Sequence, residues 1–199
     1  MHSRLMASLR AHSTCATPRK TPVVGVIGLG NMGIGMASAL AGAGFSLIVT
    51  TRSIDKAWRF QKEVASQPDD FRTQSVHVAT TAAEVAQRAD IITTCLANEE
   101  AGRSVFCGEG GIVEGLTQDL TKDRIVVDHS TVSLEVSTEL RKAVERVGCG
   151  FVDAPISGTP ERYAHSFVHC HSKSPLEPLS HVLLRPQGPG WRLDSDGRW

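Results

Sequence analysis

The most informative part of the sequence is Val23-Val-Gly-Val-Ile-Gly28-Leu-Gly30-Asn-Met-Gly33-Ile-Gly-Met-Ala37. Its first five residues are β-branched except for Gly25, which is typical of a strand buried on both faces of a parallel sheet. From Asn31 to about Ala43 the chain has no charged residue, so a helix there would be buried on most sides. The stretch therefore predicts a buried strand, a tight turn and a buried helix.

The predicted turn contains three glycines at the G-x-G-x-x-G spacing of a dinucleotide-binding site. Gly28 would let the chain turn sharply, Gly30 would leave room for a pyrophosphate, and Gly33 would let the helix pack closely. The amides at the helix start would then meet the phosphates. Glycines also occur at this spacing in ordinary buried turns, but the strand-turn-helix context favours a cofactor site. The predicted cofactor contacts here are Gly28, Leu29, Gly30, Asn31, Met32 and Gly33.

Length and composition are those of an ordinary globular protein. The 199 residues are 41% hydrophobic and 21% charged with a formal net charge of 0, so neither nucleic acid nor a membrane is indicated as a partner. No apolar run approaches the roughly 20 residues that cross a bilayer. The five cysteines are odd in number and form no C-x-x-C pair, which favours reduced thiols in an intracellular compartment.

The segment 1–22 contains Arg4, Arg10, Arg19 and Lys20 but no acidic residue, a composition typical of mitochondrial transit peptides. A disordered tail, or sequence upstream of the true start, would look similar. We expect this segment not to pack on the core. The predicted location is the cytoplasm, with the mitochondrial matrix as the alternative.

Strand and helix patterns alternate six times after residue 22, with short connections between them. This pattern predicts an α/β fold with a doubly wound parallel sheet of about six strands, the Rossmann architecture, over residues 23–158. Thr81-x-x-Glu84 is a capping box that would open a short helix, and Cys107–Leu116 is interpreted as a glycine-marked connection. The predicted strands are Val23–Ile27, Phe45–Thr50, Val76–Ala79, Ala89–Leu96, Arg124–Asp128 and Gly150–Ala154.

The end of the second predicted strand reads Thr51-Arg52-Ser53. An NAD site usually has Asp or Glu here, about 20 residues past the glycines, to bind the ribose hydroxyls. Arginine instead offers a fork of donors to a 2′-phosphate, which a carboxylate would repel. The sequence therefore predicts that Thr51, Arg52 and Ser53 bind NADP in preference to NAD. The alternative is that Arg52 is a solvated loop residue.

The other strand ends supply further candidate ligands at the same edge of the sheet. Leu96 and Ala97 lie at the carboxyl end of the fourth strand, and Ser130 and Thr131 follow the fifth. Ser157 and Gly158 follow the sixth. Each could also reflect turn chemistry, because Ser, Thr and Gly favour loops for their own reasons. Their common placement favours a ligand site.

Three motifs carry a family resemblance: Val26-Ile-Gly-Leu-Gly-Asn-Met-Gly-Ile-Gly-Met-Ala37, Asp128-His-Ser-Thr131 and Asp153-Ala-Pro-Ile-Ser-Gly158. In this order they resemble the β-hydroxyacid dehydrogenases, which include 3-hydroxyisobutyrate dehydrogenase, glyoxylate/succinic semialdehyde reductase and the coenzyme-binding half of 6-phosphogluconate dehydrogenase. The resemblance implies that Thr131 lies near the nicotinamide ribose and that Ser157 and Gly158 hold a substrate carboxylate. Ser130 is predicted to contact the substrate beside them.

The resemblance stops after Gly158. Residues 159–199 contain five prolines and four histidines and show no helical or strand periodicity. We therefore expect an irregular, disordered tail in place of the helical second domain of the family, as in a truncated or misread coding region. The family's catalytic lysine lies in a G-x-x-G-x-x-x-K-x-x-N helix, a string that does not occur here, so no catalytic residue is assigned.

The tail also contains His165 and the run His169-Cys170-His171. No metal site is predicted, because zinc ligands normally come as spaced pairs on a folded scaffold.

Two functions follow from these observations. The first is an NADP-dependent oxidoreductase of the β-hydroxyacid dehydrogenase type, acting on a small hydroxy acid or the matching aldehyde or keto acid. The alternative is a catalytically inactive NADP-binding module. In either case we expect self-association through the apolar surface that the second domain covers in the family.

Overall fold

The computed structural model describes residues 21–67, 75–157 and 169–170. Its main element is a six-stranded sheet in the order β3-β2-β1-β4-β5-β6, in which every pair of neighbouring strands is parallel. The strands are β1 (Val24–Ile27), β2 (Leu47–Thr50), β3 (Val76–Val78), β4 (Ile91–Thr94), β5 (Ile125–Asp128) and β6 (Gly150–Asp153). The helices are α1 (Asn31–Gly42), α2 (Ile54–Ala65), α3 (Ala82–Arg88), α4 (Glu99–Cys107), α5 (Ile112–Thr117) and α6 (Leu134–Glu145). The predicted doubly wound sheet is confirmed.

The strand order reverses between β1 and β4. The chain moves outward from β1 to β2 and β3, and it then returns to β4 on the other side of β1. Val24 of β1 consequently aligns with Leu47 on one side and with Ile91 on the other. In an open α/β sheet the crevice at such a reversal, at the carboxyl ends of the strands, is where ligands bind.

Two apolar clusters bury the sheet from opposite faces. Ile48, Ile92 and Val126 face a cluster that includes residues of α3, α4, α5 and α6. Val26 and Val49 face the other cluster, with residues of α1 and α2. All four residues of β1 are buried, which explains why its sequence is a continuous apolar run.

Helix α1 is less buried than its charge-free sequence predicts. Only five of its 12 residues are buried, and Ser38 and Ala39 are exposed. Alanine and serine are small enough to face solvent at little cost, so the absence of charge did not mean burial on most sides.

The connection predicted over Cys107–Leu116 is wrong, because it contains helix α5. Ile112 and Leu116, four residues apart, are fully buried on its inner face. Gly115 lies so close to the backbone of Ala83 that a Cβ there would clash with it. The glycine that suggested a loop is therefore the residue that lets α5 pack on α3.

The capping box at the start of α3 is only half formed. The backbone N–H of Glu84 donates to Thr81 Oγ1 at 3.1 Å, as predicted. The carboxylate of Glu84 accepts the N–H of Thr80 at 3.0 Å, one residue before the N-cap.

A second, two-stranded antiparallel sheet pairs β7 (Ile156–Ser157) with β8 (His169–Cys170). The predictions for residues 1–20 and for most of 159–199 lie outside the described residues. Among the described helices, none is long and apolar enough to cross a membrane.

Candidate functional site

The glycine turn after β1 has three different environments. Gly28 has φ +99°, a left-handed conformation, and a Cβ there would clash with the carbonyl of Cys95. A Cβ on Gly33 would clash with the carbonyl of Gly28, so α1 begins directly against the turn. At Gly30, by contrast, a Cβ would meet no described atom within 4 Å. The first and third glycines are thus required by the protein itself, and the second borders open space.

Gly30 is also the N-cap of α1, and as a glycine it has no side chain that could cap the helix. The first bond of the helix runs from the Ile34 N–H to the Gly30 carbonyl at 3.0 Å. The N–H groups of the preceding first turn have no acceptor within the helix. Open space beside such amides suits a phosphate group.

The predicted contacts Leu29 and Met32 differ from the exposed Asn31. The Leu29 side chain is only 2% exposed and packs in the core with α1 and α2. Leu29 can therefore offer a cofactor only its backbone, and its predicted contact stays a prediction. Met32 is partly buried.

The end of β2 lies beside this turn, since the Gly28 N–H donates to the Thr50 carbonyl at 2.9 Å. Thr51 is partly exposed, and Arg52 and Ser53 are exposed. Ser53 is the N-cap of α2 but makes no side-chain capping bond. Arg52 has no ion-pair partner within residues 21–67 and 75–157. The Arg52 guanidinium and the Ser53 hydroxyl are therefore available to a ligand next to the glycine turn.

The ends of β4 and β5 are joined by a buried hydrogen-bond network centred on Asp128. Its Oδ1 accepts from Thr94 Oγ1 at 2.7 Å, from Ser130 Oγ at 2.6 Å and from the Ser130 N–H at 3.0 Å. Ser130 Oγ in turn accepts the N–H of Leu96 at 2.9 Å. The network fixes the loop containing Leu96 and Ala97 against the loop containing Thr131.

This network changes the interpretation of Ser130. Its side chain is 3% exposed, and its hydroxyl already has two protein partners. Ser130 therefore supports the wall of the site, whereas the neighbouring Thr131 is exposed. Direct contact of Ser130 with a substrate stays a prediction that this packing does not favour.

Two titratable groups close to these loops are held neutral. Burial, with a smaller effect of Asp128, raises the pKa of Cys95 to about 11, so the thiol stays protonated and is a poor nucleophile at neutral pH. Burial also lowers the pKa of His129, against weaker opposing effects of the Ala154 carbonyl and Asp128. Sequence reasoning assigned no role to Asp128, Thr94 or His129, although Asp128 and His129 belong to a quoted motif.

The end of β6 is anchored separately, because Ser137 Oγ of α6 donates to Asp153 Oδ2 at 2.7 Å. Ser157 follows in β7, and Gly158 lies outside the described residues. Their predicted contact with a substrate carboxylate stays a prediction. Within the described ranges, no three His, Cys, Asp or Glu side chains lie together as a metal-ligand set. The side chains of the His165–His171 cluster lie outside that description.

Comparison with known proteins adds a family to this geometry. Residues 23–169 match the family described as the NAD binding domain of 6-phosphogluconate dehydrogenase. The match extends beyond Gly158, where the sequence analysis ended the resemblance. Mouse mitochondrial 3-hydroxyisobutyrate dehydrogenase is 39% identical over 155 residues, which are 78% of this chain and 42% of that protein.

Solved structures share the fold at lower identity. A 3-hydroxyisobutyrate dehydrogenase from Mycobacterium tuberculosis with L-serine gives a TM-score of 0.63 at 23% identity, covering 84% of this chain and 52% of that one. Psf3 in complex with NADP⁺ and 2-OPP gives 0.66 at 23% identity, covering 81% and 52%. The chain spans less than half the length of the mouse relative. Through its NAD-binding domain, the chain belongs to the β-hydroxyacid dehydrogenase family.

Proposed function

We propose that this chain binds NADP across the carboxyl ends of β1 and β2, and that it is the cofactor-binding part of an oxidoreductase. The observation that carries the proposal is the open space at Gly30, bordered by the first-turn amides of α1 and next to the exposed Arg52. The pyrophosphate would bind these amides, and Arg52 with Ser53 would bind the 2′-phosphate.

The preference for NADP depends on charge. The family description names NAD, but a site for NAD usually has a carboxylate where this chain has Arg52. Because Arg52 has no carboxylate partner among the described residues, its charge is not already neutralised by an ion pair. A 2′-phosphate would supply the missing anion.

The test is the substitution Arg52→Asp, with Lys62→Asp in the last turn of α2 as the charge-matched control. Loss of a charge-assisted contact, together with repulsion, should weaken NADPH binding by about 2 to 4 kcal/mol, or roughly 30-fold to several hundredfold. NADH binding should change little, and the control should bind both cofactors like the wild type. Calorimetry that shows NADPH and NADH weakened equally by Arg52→Asp would refute the assignment.

The proposed reaction is reduction of a small aldehyde or keto acid, or oxidation of the matching hydroxy acid. The bound nicotinamide would supply or accept the hydride. The chain's own part is to orient the site: the Asp128 network fixes the loop containing Leu96 against the loop containing Thr131. The segment ending in Ser157 would bind the substrate carboxylate.

The second candidate is an NADP-binding module without turnover. A steady-state assay with NADPH and glyoxylate or succinic semialdehyde separates the two. Turnover that Ser157→Ala abolishes would rule out the module, whereas tight NADPH binding without turnover would support it.

A further inference from the structure

The hydrogen-bond ladder between β5 and β6 is interrupted at its carboxyl end. In this register Val127 aligns with Val152, and the Ala154 N–H donates to the Asp128 carbonyl at 2.8 Å. The next bond of a parallel ladder would run from the Ser130 N–H to the Ala154 carbonyl. The Ser130 N–H donates instead to the carboxylate of Asp128. The Asp128 network therefore takes away the backbone donor that the Ala154 carbonyl would otherwise receive.

The ring of His129 occupies the place of that donor. His129 Nδ1 lies 2.8 Å from the Ala154 carbonyl oxygen, and the two residues are 5% and 0% exposed. A carbonyl can only accept, so Nδ1 carries the proton in this contact. Ala154 is thus held at its N–H by Asp128 and at its carbonyl by His129. A buried carbonyl left without a donor would be costly, which gives the ring a defined task.

The contact lies where the chain leaves β6 and enters residues 154–157, the proposed substrate segment. Ala154 is followed by Pro155, which has no N–H to donate. The chain then enters β7, which pairs with β8 and not with the six-stranded sheet. The Ala154 carbonyl is consequently a point of attachment for residues 154–157. Its position therefore constrains the position of Ser157, three residues further along the chain.

Residues 128–130 therefore connect the end of β5 to both neighbouring strands, β4 and β6. Asp128 and Ser130 bind Thr94 and the Leu96 N–H at the end of β4, on the proposed cofactor side. His129 binds Ala154 at the end of β6, on the proposed substrate side. Three consecutive residues thus relate the two sides of the site.

We propose that His129 is a positioning residue, whose ring N–H replaces the missing ladder donor and fixes residues 154–157 relative to the ends of β4 and β5. The consequence for substrate binding rests on the proposed function; the structural part does not. No contact of His129 with substrate or cofactor is implied.

Three variants separate positioning from general stability. His129→Leu removes the donor but keeps an apolar side chain, and His129→Asn restores a donor, because its side-chain amide can approach the place of Nδ1. Val126→Ala is the matched control: Val126 is fully buried in β5 but packs in the cluster with α3, α4, α5 and α6, which does not contain Ala154, so removing its methyl groups loosens the core without touching Ala154.

The first measurement uses the protein alone. The ¹⁵N spectrum of the wild-type imidazole should show protonated Nδ1. Amide exchange at Ala154 and Ile156 should be about tenfold faster in His129→Leu than its global stability accounts for, and close to wild type in His129→Asn. Val126→Ala should speed exchange only in proportion to its loss of global stability. A ring protonated at Nε2 alone, or the same exchange pattern in His129→Leu and Val126→Ala, would overturn the proposal.

The second measurement titrates glyoxylate into the NADP⁺-loaded proteins, which have no hydride to transfer to it, and follows the heat of binding; NADPH binding is measured separately. His129→Leu should weaken glyoxylate binding by about tenfold and NADPH binding less than twofold, with His129→Asn restoring most of the loss. Equal weakening of both ligands would contradict the positioning of the substrate segment. A wild type that binds NADPH but no glyoxylate would count against the proposed function, while the exchange measurement would still decide the role of His129.

Discussion

At the residue scale, the site depends on side chains whose partners lie in other strands. Asp128 accepts three hydrogen bonds on one oxygen, and two of the donors belong to Ser130 while the third belongs to Thr94. The sequence showed Asp128 only as part of a motif. Its role becomes visible once β5 is placed between β4 and β6, because adjacency in the sheet is not adjacency in the chain.

His129 also makes stability depend on pH. Its pKa is lowered in the folded protein, so between that value and the usual pKa of about 6.5 the unfolded chain binds more protons. Stability should therefore fall as the pH drops from about 7 toward 5. Glu99 and Asp119, whose pKa values are lowered mainly by hydrogen bonds to Ser133 and Thr121, lose their contributions at lower pH, below about 4.5.

Urea unfolding at pH 7.5 and pH 5.5 measures this effect. The difference in unfolding free energy between the two pH values should be smaller in His129→Asn than in the wild type. The exposed His77 of β3 provides the control, and His77→Asn should keep the wild-type difference. The same pH dependence in all three proteins would show that His129 does not titrate as described.

At the element scale, Arg124 holds helix ends together at the edge of the sheet opposite the proposed site. Its side chain is fully buried just before β5, and its guanidinium donates to the carbonyls of Asp119 at 2.9 Å and Gln87 at 3.2 Å. A longer bond of 3.3 Å reaches the carbonyl of Leu116 in α5. The group thus satisfies carbonyls that follow or end α3 and α5, where helices lack internal donors.

Replacing Arg124 by Met should lower the free energy of unfolding by about 2 to 4 kcal/mol, because the buried Leu116 carbonyl and the partly buried bonds to Asp119 and Gln87 lose their charged donor. Arg124→Lys should recover little, since one ammonium group cannot reach the same set of acceptors. NADPH affinity of the folded variants should not change. Denaturant titrations that place Arg124→Met within about 0.5 kcal/mol of the wild type would contradict this account.

Most of the helices and strands could be predicted from the sequence. The order of strands and helices followed from apolar runs and their spacing, and the special conformation of Gly28 followed from the turn itself. Helix α5 was missed because the four glycines of the stretch 107–116 are typical of a loop, whereas the helix depends on packing of Gly115 against Ala83. Predicted strands were too long at their ends, as in Ala89–Leu96 against the observed Ile91–Thr94, because apolar character continues into buried loops.

At the scale of the whole molecule, residues far apart in the sequence meet at one edge because the sheet is parallel and its order reverses at β1. The glycine turn and Arg52 lie on one side of this reversal, and the loops after β4, β5 and β6 lie on the other. A dinucleotide has the length to cross from one side to the other. Self-association through apolar surface stays a prediction, and the 80% exposed Leu134 beside the loop after β5 is one residue to examine.

We claim that NADP binds on the glycine turn, and an NADPH titration of wild type, Gly30→Val and Ala39→Val measures this. Gly30 has φ −72° and open space around it, so valine should leave the fold intact while its side chain enters the space proposed for the pyrophosphate. Ala39→Val places the same side chain on an exposed position of α1 as the control. We predict that calorimetry shows NADPH binding to wild type and Ala39→Val but none to a folded Gly30→Val protein; unchanged affinity in Gly30→Val would contradict the claim.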